Sequence, residues 1–141
     1  MASNNVELAQ RFHEDIFEKG DFDAADRILT EDYVTHSPGA PPDFLHGPEG
    51  AKEYARAIRT GLPDLSITHD DIVTEGDKVV IRWTARGTHE GELFGIPPTG
   101  KSVEITGFDL FRIEGDRIAE MWQNWDALGL MQQVGAAPAP Q

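Results

Sequence analysis

The sequence predicts an α+β domain, with helices gathered on one face of a curved antiparallel sheet. Two observations carry this. Up to about Thr60, apolar residues recur at three- and four-residue steps; from Leu65 onward they recur at every second residue. Each pair of long strands is also joined by a hairpin signal, Glu75-Gly76-Asp77 and Glu114-Gly115-Asp116.

The first helix is expected over Asn5 to Lys19, where Val6, Ala9, Phe12 and Ile16 form one apolar stripe and Gly20 follows the last turn. A short helix near Phe22 to Leu29 comes next, then a short strand Tyr33-Val34-Thr35-His36 that stops at Ser37-Pro38. Pro38 to Leu45 carries three prolines and reads as a loop. Pro48 suits the first turn of a third helix, which runs to Thr60 with Ala51, Tyr54, Ala55 and Ile58 inward. Four strands follow: Leu65 to Val73, Lys78 to His89, Ser102 to Ile113 and Arg117 to Trp125. A closing helix, Ala127 to Val134, follows Asp126, which is placed to cap it. Residues 1–135 are expected to form one domain, and residues 136–141, with the composition Ala-Ala-Pro-Ala-Pro-Gln, a disordered tail.

Composition narrows the function classes. The chain has 141 residues, 25 acidic against 12 basic, and a net charge of −13, which repels phosphate backbones and argues against nucleic acid. No window approaches the roughly 18 uncharged apolar residues of a membrane span. The N-terminus lacks the basic start and apolar run of a secretory leader, so a cytoplasmic location is expected. Cysteine is absent, which excludes thiolate chemistry. The five histidines show no metal-ligand spacing, and neither a phosphate loop nor a nucleophile elbow is present.

Several stretches are similar to the SnoaL-like polyketide cyclases, small proteins of the NTF2-like superfamily. They are Asp32-Tyr33-Val34, His46-Gly47-Pro48, Gly87-Thr88-His89-Glu90-Gly91, Gly95-Ile96-Pro97-Pro98-Thr99-Gly100, Phe111-Arg112-Ile113, and the closing run from Asp126 to Gly135. The resemblance implies a cone with an apolar cavity, a site that uses no cofactor, and a hydrophobic small molecule as partner. In the cyclases an aspartate on the last strand is the general acid/base of an aldol closure, and a histidine on the preceding strand faces the same cavity. Aligning Phe111-Arg112-Ile113 and Gly135 without gaps puts Gln123 at the aspartate position and Asp109 at the histidine position.

Asp109 is therefore the main candidate. Ile105, Gly107, Asp109, Phe111 and Ile113 share a strand face, so one acid interrupts an apolar row, although the opposite face is also half apolar. A three-residue loop Gly115-Asp116-Arg117 would set Asp109 opposite Gln123, which would orient a substrate oxygen, hydrogen-bond Asp109, or serve as plain wall. His36, at the end of the first strand, is the expected proton-transfer partner. Tyr33, Trp83, Phe111, Met121 and Trp125 are expected to line a pocket suited to a planar ligand. His46 and His89 are read as structural. The expected activity is cofactor-free acid/base chemistry on a polyketide-like carbonyl compound, such as aldol cyclisation or isomerisation. The alternative is a binding module that has lost the family's aspartate. An epoxide-hydrolase-like reading would need Arg82 or Arg86 between two acids. With Asp109 inward, Phe108 and Leu110 would leave apolar surface outside, and a homodimer paired through that convex face is expected.

Overall fold

The computed structural model describes residues 2–138. Helix α1 (Ala2–Arg11) continues into a π-helical segment, Phe12–Glu18, and is followed by α2 (Asp23–Ile28) and strand β1 (Leu29–His36). A 3-10 turn at Pro42–Phe44 leads into α3 (Gly47–Gly61). Then come β2 (Ser66–Glu75), β3 (Lys78–Thr88), β4 (Ser102–Glu114), β5 (Arg117–Trp125) and the closing helix α4 (Ala127–Gln133). The five strands form one curved sheet in the order β1-β5-β4-β3-β2. The helices lie against its concave face, so the fold is α+β as the periodicities indicate.

Three details differ from the sequence reading. The first helix does not stay α-helical: Lys19 N–H reaches back five residues to the Glu14 carbonyl at 3.0 Å. Phe12, His13, Ile16 and Phe17 are all buried along this segment. Next, β1 is longer than expected and parallel to β5, so the sheet is mixed rather than purely antiparallel. Helix α3 separates β1 from the β2–β5 meander, freeing β1 from a hairpin partner, and it joins the far edge instead. Finally, the β4–β5 turn has two residues, Gly115-Asp116, not three, because Glu114 pairs with Arg117. A bulge compensates: Arg112 faces Glu120 while Ile113 faces Ile118, leaving Ala119 as the extra residue. The bulge is why Ile118 and Ala119 are both buried.

The core lies between helices and concave face, built on Phe12, Ile16, Leu29, Tyr33, Ile81, Phe111 and Met121. Asp126 caps α4 by accepting the Gly129 N–H at 2.8 Å. Residues 139–141 of the tail expected to be disordered lie outside the described residues. Ahead of them, Ala136 N–H bonds the Met131 carbonyl at 2.8 Å as α4 closes.

Candidate functional site

Alternation along β4 sends Val103, Ile105, Gly107, Asp109, Phe111 and Ile113 to the buried side and leaves Phe108 half exposed. The bulge in β5 sets Gln123 directly opposite Asp109. Above them, the π-helical turn lowers His13 onto the same point. Asp109 is fully buried and each oxygen has a donor: His13 Nε2 lies 2.7 Å from Oδ2, and Gln123 Nε2 donates to Oδ1 at 3.0 Å.

The network extends both ways. His13 Nδ1 is 2.9 Å from Nε2 of His69 on β2, and the two rings are 5.0 Å apart. On the other side, Gln123 Oε1 accepts from Tyr54 OH at 2.6 Å and Ser37 Oγ at 3.1 Å. A carboxylate only accepts, so His13 must carry its proton on Nε2 and Gln123 must turn its amide N–H₂ toward Asp109. His13 Nδ1 is then a lone pair, and His69 donates to it from Nε2.

Electrostatics fit this assignment. Burial, reinforced by the neighbouring His13, depresses the His69 pKa to about 4, so the ring stays neutral. Burial also pushes the Tyr54 phenol upward, leaving its hydroxyl a proton-bearing donor at neutral pH. The Tyr33 phenol is raised by burial too, and bonds Thr35 at 2.7 Å.

This polar chain borders an apolar cavity with about 70 Å³ of free interior. Its wall includes His13, Gln123, Tyr54, Trp83, Leu93 and Trp125. A second hollow of about 350 Å³, between the Pro38–Pro41 loop and α4, shares Tyr54, Phe94 and Trp125 with it. Phe94 stacks on Trp125 at 5.9 Å where the two meet. The Trp83 ring packs against Gly107; a side chain there would meet Trp83 Cζ2 at 2.4 Å. The Trp83 indole N–H is buried without a partner among the described residues.

Of the residues expected from sequence, Asp109 and Gln123 come together, and Trp83 and Trp125 line the cavity. Asp109 does not face the cavity directly but sits behind His13 and Gln123. Tyr33, Phe111 and Met121 are core beneath it, with no exposed surface. His36 lies elsewhere: strand parity turns it to the outer face, where it bonds Glu120 at 2.6 Å and stacks on Trp122. Arg82 pairs with Asp71, and Arg86 with Glu104, on the outer face, so neither stands beside the buried acid. His89 is buried against Thr99 at the end of β3, and His46 precedes α3 in an exposed position.

Sequence reasoning missed His13, His69, Ser37 and Tyr54 as site residues. His13 was recoverable: it follows Ala9 by four residues, on the apolar stripe of the first helix, where a polar side chain needs a buried partner. Among the described residues, no set of three or more His, Asp or Glu side chains converges as a metal site would, and no helix is long and apolar enough to cross a membrane.

Comparison with known proteins agrees with this architecture. TsrD from Streptomyces laurentii is 33% identical, with 97% of this chain and 98% of that chain covered and a TM-score of 0.85. IdmH, a proposed polyketide cyclase from Streptomyces antibioticus, is 32% identical over 93% of this chain and 98% of its own, with a TM-score of 0.80. A proposed polyketide cyclase from Acidithiobacillus ferrooxidans is 29% identical, covering 97% and 98%, with a TM-score of 0.84. No curated protein matches. The family model of the SnoaL-like polyketide cyclases matches residues 7–134. The chain belongs to the SnoaL-like polyketide cyclase family, on the NTF2-like fold.

Proposed function

We propose that this protein is a cofactor-free acid/base catalyst that removes a proton α to a carbonyl in a hydrophobic, polyketide-like substrate, as in an aldol cyclisation or an isomerisation. The observation that carries the reading is the His13–Asp109 pair, 2.7 Å apart, with the carboxylate fully buried and the imidazole on the cavity wall. Asp109 holds the proton on His13 Nε2 and balances the charge of the imidazolium; His13 Nδ1 is the base. The substrate takes the place of His69 at that nitrogen. Negative charge then develops on the carbonyl oxygen, and the cavity wall offers one uncommitted donor for it, the unpartnered Trp83 N–H. Gln123 keeps Asp109 in place. His36 has no part in this scheme, and His13 takes the role expected of it.

The test is α-carbon deuterium exchange, followed by NMR, in an aromatic β-keto methyl ester incubated with the protein in D₂O. Catalysed exchange that is lost in His13→Ala supports the reading. A second reading rests on Gln123, an amide where the family places its acid: the domain binds such a molecule and does not turn it over. Binding without exchange in the wild type would favour it. A cytoplasmic setting and a homodimer complete the proposal. Phe108, 55% exposed, and Trp122, 38% exposed, share the outer face of the sheet and supply the apolar surface for pairing. Light scattering that gives 15.6 kDa across micromolar concentrations would refute the dimer.

A further inference from the structure

His13 raises a question that its own geometry does not answer. A base that keeps the proton it takes works once, and this one is 4% exposed, between a buried carboxylate and an apolar cavity. The rings of Phe12, Phe111 and Trp83 stand around its own, with centroids 5.9 to 6.2 Å away, and offer no group that takes up a proton. The only polar atom at Nδ1 among the described residues is Nε2 of His69.

His69 differs from His13 in where it stands. It belongs to β2, an edge strand of the sheet, and is half-buried while its neighbour Asp70 is exposed. The strand is irregular there: the pairing with β3 shifts between His69 and Asp71, a bulge that leaves local freedom at the ring's anchor. Imidazole suits a relay because its two nitrogens can accept on one side and release on the other. The groups that set its charge are His13 and Asp109 inside and Asp70 outside, with Asp70 itself bonded to Thr84 at 2.6 Å.

We infer that His69 is a proton relay, carrying to bulk solvent the proton that His13 collects. This rests on His13 being the base. When His13 Nδ1 holds a proton, the facing His69 Nε2 must be a lone pair, so His69 first exchanges with solvent to the tautomer that carries its proton on Nδ1; His13 Nδ1–H then passes its proton to His69 Nε2, and His69 releases its Nδ1 proton to water or a buffer base. His13 is left neutral with Nε2–H on Asp109, and His69 with Nε2–H on His13, which is the arrangement of the resting structure. A neutral His69 in its Nδ1–H tautomer has the free Nε2 lone pair that can accept.

The experiment needs no substrate. Proton exchange at His13 is read from relaxation dispersion of its ring carbon in the full chain, near the midpoint of its titration. In His69→Gln and in His69→Gly the exchange rate should fall about a hundredfold or more, the scale on which a positioned proton-transfer group acts. Free imidazole added to His69→Gly should restore it, because it enters the space the side chain leaves; the glutamine variant, whose side chain fills that space, should not respond. Equal rates in wild type and both variants, or no response of the glycine variant to imidazole, would overturn the relay. If His13 still changes its ring proton in Asp109→Asn while the His69 variants have no effect, the relay is wrong and the acid/base pair stands. If His13 responds to neither, the pair falls with it.

Discussion

Replacing Asp109 by asparagine puts a single acceptor where two donors converge. His13 Nε2 at 2.7 Å and Gln123 Nε2 at 3.0 Å both give hydrogens to the carboxylate, and an amide has only one oxygen to receive them. The smallest adjustment leaves that oxygen on Gln123 and turns the new N–H₂ toward His13, which moves its own proton to Nδ1 and accepts at Nε2. No bond is lost, but the basic nitrogen is now inside the pair and its cavity-side nitrogen is a donor. Stability should fall by about 1–2 kcal/mol, the difference between charged and neutral hydrogen bonds. Turnover should fall by a factor of about 10³ to 10⁴, as when a catalytic histidine is held in the wrong tautomer. Asp109→Leu is the harsher change. It leaves two buried donors with no acceptor at about 1–3 kcal/mol each, partly offset because a charge is no longer desolvated, for a net loss of about 2–5 kcal/mol. Urea unfolding gives the stabilities, and ¹⁵N shifts of the His13 ring give the tautomer. A His13 that keeps Nε2–H in Asp109→Asn, or an Asp109→Leu variant as stable as wild type, would show that Asp109 does not set the His13 tautomer.

Stability should also respond to acid through His69. Its folded pKa, about 4, lies below the unfolded value of roughly 6.5, so the unfolded chain binds more protons between the two and stability is lost as pH falls through that window. The loss should reach about 1–2 kcal/mol, less than the full shift implies because the ring is partly solvated, and urea titrations at pH 4.5 to 7.5 should be flatter in His69→Gln. Gly107→Ala drives a methyl against Trp83 Cζ2 at 2.4 Å and Trp125 Cβ at 2.9 Å. It should cost about 1–3 kcal/mol and weaken binding of a hydrophobic fluorophore, since both rings are displaced into the cavity. Tyr54→Phe removes the 2.6 Å bond to Gln123, leaving Ser37 as the remaining donor; a stability loss of about 1 kcal/mol, measured by thermal unfolding, is expected.

Much of this was legible in the residues because two periods write the fold. The helical stripe of Val6, Ala9, Phe12 and Ile16 and the alternation through Ile105, Asp109 and Ile113 identify the elements and the inward face. What was not legible lay where those periods break. The π-turn over Phe12–Glu18 leaves no mark on the count, since Ala9, Phe12, His13, Ile16 and Phe17 fit an ordinary helical stripe, and His13 was passed over within that stripe. The extra residue at Ala119 cancels the short turn at Gly115-Asp116, so the Asp109–Gln123 pairing was anticipated from a loop length that the chain does not have. His36 was assigned to the pocket from its position before Ser37-Pro38, yet strand parity decides the matter: Tyr33, Thr35 and Ser37 are buried, and His36 between them is not. His69 follows Leu65 and Ile67 on one parity and could have been found by the argument applied to Asp109.

Gln123 has a consequence for the direction of traffic through this buried chain. Its amide gives hydrogens to Asp109 and receives them from Tyr54 and Ser37, yet an amide neither takes up nor gives away a proton near neutrality. It works as an insulator set into a conductor. The hydroxyls beyond it sense the carboxylate's charge but exchange no proton with it through the amide, so in the proposed scheme that end of the line is closed and the open end is the one toward the sheet edge. An aspartate at 123 would be a second terminal, open to the Tyr54 and Ser37 side. Under the proposed relay, the side chain that looks like a missing acid makes the circuit one-ended, and among the described residues His69 is the exit left to a proton taken in the cavity.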